Sequence, residues 1–244
     1  MDGTIYLEDK IIDGAVNTLN SLIKKGAHLL FVTNKTTHTK DEYAEFLNKH
    51  GVVITSNSIL TAASNCVSYL KRERSGKKFY AIAEKSFIDS VVDVGLTFSE
   101  NIDEIEVVII SLDRNYSQSK FEIAKNALLN GAEFLAANID NTCPVIKGEI
   151  VDAGIIISDL ERETGKKLLQ HFGKPSEFMI SIIKKNLKYN IKDYLLIGDR
   201  LETDILMGNI MGIDTVLVNS GVVNKTIHST YSATFNVSSI EEIL

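Results

Sequence analysis

The chain has 244 residues, of which 44% are hydrophobic and 24% charged, so its composition suits a folded globular protein and excludes a disordered one. Its net charge of -6 gives no global attraction for nucleic acid or an anionic membrane. Only two cysteines are present, Cys66 and Cys143, and they predict neither a disulfide framework nor a zinc site. No long apolar run and no basic-then-apolar leader occurs, and we therefore predict a cytoplasmic protein without a membrane span.

The chain begins with a turn sequence, Asp2-Gly3-Thr4, and a helix is predicted soon after it. Apolar residues at helical spacing place the start of this helix near Ala15. Asp13 is the predicted N-cap and Gly26 the residue that ends the helix. The opening turn has no strand before it, which is unusual for a domain of this size.

A buried strand and a second helix follow. The continuous apolar run from His28 to Val32 predicts a strand covered on both faces, which ends at Thr33 and Asn34. The spacing Thr39-x-x-Glu42 predicts a capping box at the start of the next helix. A further helix covers about residues 61–71.

The middle of the chain has the pattern of a separate α/β unit. The charged run 71–78 interrupts the apolar pattern and indicates a domain boundary. Strands are then predicted near 79–83, 107–112 and 134–137, with helices at 87–94, 121–129 and 153–164. This unit ends at about residue 169.

The last segment returns to alternating helices and strands. It starts with Phe172-Gly173-Lys174-Pro175-Ser176 and a helix to Asn186. An apolar run then ends in Gly198-Asp199. A helix is predicted after Thr203, and the apolar run that follows it ends in Asn219-Ser220.

Three apolar strands therefore end in polar residues. In a doubly wound parallel sheet, ligands bind beyond the carboxyl ends of the strands, so these polar residues should share one edge. We predict an α/β fold in which residues 1–74 and 170–244 form one Rossmann-like domain. Residues 75–169 form an insertion that covers the site as a lid.

The polar residues at these strand ends suit phosphoryl transfer. They are Asp2, Gly3, Thr33, Asn34, Lys174, Asp199 and Asp204. Carboxylates together with phosphate oxygens form the ligand set that Mg²⁺ prefers. A lysine and a threonine hydroxyl can neutralise and bind the phosphoryl oxygens, and backbone N–H groups around Gly3 can bind an anion.

The same residues resemble a known family. Asp-Gly-Thr, a threonine at a strand end, Gly-Lys-Pro and Gly-Asp-Arg-Leu-Glu-Thr-Asp occur in the order of the four motifs of the haloacid dehalogenase (HAD) superfamily of aspartate-nucleophile phosphatases. The insertion resembles the C2-type cap of subfamily IIA, which holds the NagD-like and 4-nitrophenyl phosphatase-like enzymes. The resemblance covers residues 2–221.

The resemblance implies a role for each matching residue. Asp2 would be the general acid and base, and its main-chain carbonyl would bind Mg²⁺. Thr33 and Asn34 would contact phosphate, and Lys174 would be the third-motif lysine. Asp199 would be a metal ligand, while Asp204 would hold the metal's waters or orient Lys174.

The sequence departs from the family pattern in two places. The family's nucleophile is the first Asp of Asp-x-Asp, two positions before Asp2, so it and the strand that leads into it are outside this sequence. Residues 149–154 replace a Pro-Gly-rich loop in the cap. Asn138 and Asp140 in the cap either reach substrate or satisfy the backbone of a strand-end turn.

These observations predict a Mg²⁺-dependent phosphatase for a small phosphorylated metabolite, inactive without the missing nucleophile. Two alternatives stay open: a non-catalytic phosphate- or metal-binding protein of the same fold, and a phospho-acceptor receiver domain, against which the large insertion argues. A homodimer through the cap is compatible with the family. Nucleic acid and membrane are not expected partners.

Overall fold

The computed structural model describes residues 1–145, 148–221 and 231–244, which form three parallel sheets and two short hairpins. The strands are β1 (Tyr6–Leu7), β2 (Lys10–Ile11), β3 (Phe31–Thr33), β4 (Ile59–Thr61), β5 (Lys78–Ile82), β6 (Thr97–Phe98), β7 (Val107–Ile110), β8 (Glu133–Ala136), β9 (Thr142–Val145), β10 (Gly148–Val151), β11 (Gln170–His171), β12 (Leu195–Gly198), β13 (Asp214–Val218) and β14 (Phe235–Val237). The α-helices are α1 (Ala15–Lys24), α2 (Lys40–Lys49), α3 (Ala62–Glu73), α4 (Lys85–Val92), α5 (Gln118–Leu129), α6 (Ala153–Thr164), α7 (Glu177–Asn186) and α8 (Leu206–Met211).

The middle of the chain forms a five-stranded parallel sheet, which we call the cap sheet. Its strand order is β11-β8-β7-β5-β6. All four residues of β7 are buried, because apolar clusters cover both faces of the sheet. Helices α5 and α6 pack on one face, and α3 and α4 pack on the other. Uninterrupted apolar strands are typical of parallel sheets covered in this way.

The flanking segments form two smaller parallel sheets. One joins β3 to β4, and the other has the order β12-β13-β14. Strands β3 and β12 both line an apolar cavity of about 160 Å³. Within the described ranges no strand pairs with both of them. The predicted α/β fold with parallel sheets is confirmed, and the ends of β3 and β12 lie at a common edge.

Several local predictions agree with the structure. Helix α6 has the predicted bounds. The capping box of α2 is formed, since Thr39 Oγ1 accepts a hydrogen bond from the Glu42 amide at 3.2 Å and Glu42 Oε2 accepts one from the Thr39 amide at 2.7 Å. The division into residues 1–74 with 170–244 and 75–169 stays a prediction; α3 packs against the cap sheet through Cys66 and Leu70.

The predicted N-cap of α1 is wrong. The N-cap is Gly14 at φ 76°, not Asp13, and no side chain caps this helix. A side chain at residue 14 would overlap Glu241, so the close packing of the last segment selects glycine there. The helix predicted after Thr203 is present as α8, and a π-helical turn that the sequence did not predict, Leu201–Ile205, precedes it. Such turns are frequent at functional sites. No helix in the described parts of the chain has the length and hydrophobicity needed to cross a membrane.

Candidate active site

The polar strand ends meet in a small cavity of about 50 Å³ between the flanking sheets and the cap. Seven of the predicted residues line it. They are Asp2, Thr33, Asn34, Asp140, Lys174, Asp199 and Asp204. Of the other two, Gly3 lies against the Asp199 carboxylate and Asn138 lies behind the cavity wall, bonded to Asp152. Lys35, Asp152 and Arg200 also line the cavity and were not predicted.

Lys174 and Asp204 form a buried ion pair. Lys174 Nζ donates to Asp204 Oδ1 at 2.6 Å, and the side chains are only 8% and 7% exposed. Burial by itself lowers the pKa of Lys174, but the attraction of Asp204 outweighs it and the pKa is raised. Burial also opposes ionisation of Asp204, yet Lys174 holds the pKa of that carboxyl below its usual value. Lys174 therefore stays protonated, and the Asp204 carboxylate balances its charge.

Asn34 joins the end of β3 to Lys174. Its Oδ1 accepts from the Lys174 amide at 2.6 Å, and its Nδ2 donates to the Lys174 carbonyl at 3.2 Å. A side chain at Gly173 would overlap the Asn34 amide, so glycine is needed for this approach. Thr33 Oγ1 accepts from the Lys35 amide at 3.2 Å. The two Asn34 bonds hold the Lys174 backbone at the end of β3.

Asp2 faces the cavity beside Lys35. Lys35 Nζ lies 2.8 Å from Asp2 Oδ2, an ion pair with both side chains less than one-fifth exposed. Both carboxylate oxygens of Asp2 are buried, and neither accepts a hydrogen bond in favourable geometry from the described residues. Lys35 could have been found from the sequence, because it directly follows Thr33-Asn34, the pair predicted to contact phosphate.

Asp199 lies under the opening turn. Thr4 Oγ1 donates to its Oδ1 at 3.5 Å. The backbones of Gly3 and Gly221 pass so close to its carboxylate that a side chain at either position would overlap it. The Gly3 amide donates to the Tyr6 carbonyl at 2.7 Å within the turn. The contact of Gly3 with phosphate stays a prediction.

A second set of hydrogen-bonded polar residues lies in the cap, beside the cavity. Asn138 Nδ2 donates to Asp152 Oδ1 at 3.0 Å, and the Ala153 amide donates to the same oxygen at 2.6 Å. Burial, with a contribution from nearby Asp140, raises the pKa of Asp152 to about 6. Arg200, next to Asp199, donates to the Thr142 carbonyl at 3.0 Å and therefore ties the flanking segments to the cap.

Comparisons with known proteins agree with this arrangement. The sequence model of haloacid dehalogenase-like hydrolases matches residues 1–97, and a HAD-hydrolase-like model matches residues 171–243. An acid sugar phosphatase from Staphylococcus haemolyticus (strain JCSC1435) is 30% identical over 222 residues, which are 91% of this chain and 84% of the relative. The chain belongs to the haloacid dehalogenase-like hydrolase family.

Other HAD relatives match over similar lengths. The 5'-nucleotidase YutF from Bacillus subtilis (strain 168) is 29% identical over 92% of this chain and 87% of its own length. The structure of the p-nitrophenyl phosphatase from Archaeoglobus fulgidus superposes with a TM-score of 0.85, 26% identity and coverage of 99% and 95% of the two chains. A glycerol phosphate phosphatase from Mycobacterium tuberculosis, in complex with magnesium, gives 0.81 and 25% identity, covering 100% of this chain and 74% of that one. The predicted subfamily IIA is confirmed.

The residues of this HAD site fit a magnesium ion better than a transition metal. Across the described ranges, no three His, Cys, Asp or Glu side chains group closely enough to form a metal centre by themselves. Mg²⁺ typically takes one or two carboxylates and completes its shell with water and phosphate oxygens. One carboxylate in the cavity, that of Asp199, together with the predicted main-chain carbonyl ligand of Asp2 suits such a sparse ligand set. Asp204 is already bonded to Lys174 and to the Arg200 amide.

Proposed function

We propose that this HAD chain carries the site of a Mg²⁺-dependent phosphatase, which hydrolyses a small phosphomonoester through an aspartyl-phosphate. The observation that supports it most directly is the buried Lys174–Asp204 pair, held by Asn34 in the same cavity as Asp2 and Asp199. A fixed cation beside carboxylates suits a reaction that moves a dianionic phosphoryl group.

The matched residues divide the proposed reaction among them. Lys174 neutralises the phosphoryl oxygens, while Thr33 and Asn34 hold them by hydrogen bonds. The Gly3 amide would join them only where its hydrogen bond to the Tyr6 carbonyl opens. Asp199 and the main-chain carbonyl of Asp2 would hold the Mg²⁺, and Asp204 would hold the waters of the ion or orient Lys174. The ion would supply further positive charge. In the cap, Asp140 lines the approach of the substrate, and Asn138 would act through Asp152, to which it is bonded.

The chemistry has two displacements at phosphorus. In the first, a carboxylate oxygen of an aspartate two positions before Asp2 bonds to phosphorus, and the ester P–O bond breaks. Asp2 gives its proton to the leaving alcohol oxygen. In the second, water attacks the same phosphorus while Asp2 takes its proton, and the acyl phosphate P–O bond breaks to release inorganic phosphate. In this proposal the aspartate nucleophile lies outside the 244 residues.

The first experiment compares this chain with one extended at its N-terminus by an apolar strand that ends in Asp-x. Phosphate release from 4-nitrophenyl phosphate is measured with Mg²⁺. We expect negligible turnover by the 244-residue chain and clear turnover by the extended chain, whose added strand would occupy the apolar cavity between β3 and β12. Equal turnover by the two chains would show that the nucleophile assignment is wrong.

The second experiment tests the metal assignment in the extended chain. Asp199→Asn should reduce Mg²⁺-dependent turnover by at least about 1,000-fold, because it removes a charged metal ligand. The matched control is Asp193→Asn, at an exposed position outside the cavity, which should leave turnover unchanged. An extended chain that binds phosphate without turnover would instead support the non-catalytic alternative.

The substrate class is proposed from the size of the site and from the relatives. The names of two relatives, acid sugar phosphatase and 5'-nucleotidase, favour a sugar phosphate or a nucleotide monophosphate. The acidic net charge gives no reason to add nucleic acid or a membrane as partner. We also propose a cytoplasmic location, and a homodimer remains a proposal for measurement by light scattering.

A further inference from the structure

A short part of the cap closes one side of the catalytic cavity. We call residues 140–145 the cover segment. The members that line the cavity are Asp140, Thr142, Cys143 and Pro144. Across the cavity, Lys174, Asp199 and Asp204 are only 6%, 5% and 5% exposed. The cavity, of about 50 Å³, is far smaller than the roughly 300–1,000 Å³ of small-molecule pockets. A phosphomonoester therefore reaches these side chains only when part of the cavity wall moves.

Arg200 holds the cover segment to the flanking segments. Its Nη2 donates to the Thr142 carbonyl at 3.0 Å, and its Nε lies 3.9 Å from Asp140 Oδ1. The hydrogen bond and the ion pair that join the described flanking residues to this segment thus both come from one side chain. The guanidinium donates as a charged group, and such a bond is about twice as strong as a bond between neutral groups.

The rest of the cap is attached elsewhere. Directly after β7, Ser111 Oγ donates to Thr36 Oγ1 at 2.6 Å, and both residues are buried. Within the cap, the Gly154 amide in α6 donates to the Asp140 carbonyl at 2.8 Å, which fixes the first residue of the cover segment to that helix. Loss of the Arg200 contacts should therefore release the cover segment locally and leave the cap sheet in place.

Arg200 is also tied to the catalytic residues. Its amide donates to Asp204 Oδ2 at 3.3 Å, and Asp204 is the partner of Lys174. Burial opposes the charge of the guanidinium, but the attraction of Asp140 and of the acids in the flanking segments outweighs it and raises the pKa of Arg200. A single cation is therefore shared between an acid of the cap and the acids of the site.

We propose that Arg200 is a positioning residue that holds the cover segment closed over the catalytic cavity, and that the ester enters and phosphate leaves when its contacts with Thr142 and Asp140 break. The inference rests on the proposed phosphatase function for the identity of the ligand, and it adds the residue that controls access to the site. Arg200 acts through the cover segment and not on the phosphoryl group.

The two buried cysteines can report the opening. Cys143 lies in the cover segment, and Cys66 lies in α3, within an apolar cluster on one face of the cap sheet. Burial raises the pKa of both thiols, that of Cys143 to about 12, so each reacts only after it becomes exposed. Opening of the cover segment exposes Cys143 alone, whereas global unfolding exposes both cysteines.

The first experiment labels the 244-residue chain with N-ethylmaleimide, an uncharged reagent, and measures the rate at each cysteine by peptide mass spectrometry. Arg200→Gln removes the charge, while Arg200→Lys keeps the charge but cannot reproduce the two-point contact. The control is Arg162→Gln, because the Arg162 side chain is exposed and pairs with Asp159 outside the cavity.

We expect Arg200→Gln to raise the labelling rate of Cys143 about 10- to 100-fold, the range of one charge-assisted hydrogen bond. Arg200→Lys should raise it less, but by at least about threefold. The rate at Cys66 should stay within about twofold in every variant, as should both rates in the control. If Arg200→Gln gives no folded protein, Arg200→Lys decides by the same comparison of the two cysteines.

The second experiment connects the cover segment to the ligand. Calorimetry gives the Kd of inorganic phosphate with Mg²⁺, and phosphorus NMR line broadening gives its dissociation rate constant. Arg200→Gln should raise that rate constant about 10- to 100-fold and change the Kd less than about threefold, because the same contacts close the cavity with and without phosphate. A merely structural defect would weaken binding without this separation of rate from affinity.

Three results overturn the inference and leave the phosphatase proposal intact. In the first, labelling of Cys143 is unchanged in both Arg200 variants. In the second, Cys143 and Cys66 become reactive together, which indicates global destabilisation. In the third, Arg200→Gln weakens phosphate binding by about tenfold or more, the effect of a direct charged contact. Failure of the unaltered chain to bind inorganic phosphate with Mg²⁺ would instead overturn the proposed function, while the labelling rates still decide what holds the cover segment.

Discussion

The cap sheet and the flanking segments are held together in different ways. Strands β5, β7 and β8 of the cap sheet are nearly all buried, pair in one continuous sheet and have apolar clusters on both faces. The flanking segments contain two separate parallel sheets, and polar pairs connect their edges at the site. Those pairs are Lys174 with Asp204 and Asn34 with the Lys174 backbone.

The difference has a physical consequence. Apolar burial depends on packing and does not change with pH, whereas a buried ion pair is stable only while both partners are present and charged. Substitutions in the two regions should therefore destabilise the protein for different reasons. In the cap the cause should be lost side-chain volume, and at the site it should be lost charge.

The largest stability effect is expected from Lys174→Met. It leaves the Asp204 carboxylate buried without its partner, and we expect the free energy of unfolding to fall by about 3–5 kcal/mol. Urea unfolding measures this. The control is Lys85→Met, whose exposed pair with Asp89 should cost less than about 1 kcal/mol. A cost for Lys174→Met as small as that of the control would remove the distinction between the two regions.

A packing change in the cap sheet should be nearly as severe. Ile109 in β7 is fully buried between sheet and helices, so Ile109→Ala should lower the free energy of unfolding by about 2–5 kcal/mol through lost contacts and a cavity. Ile109→Val should cost only about 0.5–1.5 kcal/mol. The same experiment at pH 5 and pH 7.5 should give equal losses, and a pH-dependent loss would contradict purely apolar stabilisation.

Asp152 differs from the apolar residues that stabilise the cap, because it has a buried carboxyl group. Its pKa in the folded protein is about 6, above the ordinary 3.8, so the folded state holds a proton more tightly than the unfolded state. The contribution of Asp152 to stability is therefore largest below about pH 4 and is lost as the pH rises through about 6.

Asp152→Asn removes this titration and keeps an oxygen that can accept from the Ala153 amide. Relative to the unaltered chain, the variant should gain up to about 3 kcal/mol between pH 4 and pH 7.5. Thermal or urea unfolding across this pH range measures the difference. A difference that is the same at every pH would show that Asp152 ionises normally in the folded protein.

Much of the fold could be predicted because local patterns are strong here. The apolar runs gave β7 and β12 to within a few residues, and the bounds of α6 and the capping box of α2 were correct. The error at Asp13 arose because the choice of Gly14 depends on Glu241, more than 200 residues away in sequence. The β9–β10 hairpin was not predicted, since residues 142–151 lack the alternation that marks a strand pair.

The candidate site divides in the same way. Asp2, Lys174, Asp199 and Asp204 were found because short motifs place them at strand ends. Lys35 and Arg200 were missed, since each gains its importance from a neighbour on another element: Asp2 for Lys35 and Thr142 for Arg200. A charged or aromatic residue in a sequence carries no sign of such a partner.

The sequence by itself determined the family, the parallel α/β architecture and the residues that gather at the strand ends, because these follow from apolar periodicity and from motifs of a few residues. Only the tertiary structure decided how those residues are paired, which of them are buried and which of them line one cavity. Pairing and burial depend on distances between segments that the chain brings together on folding. Local pattern contains no information on those distances.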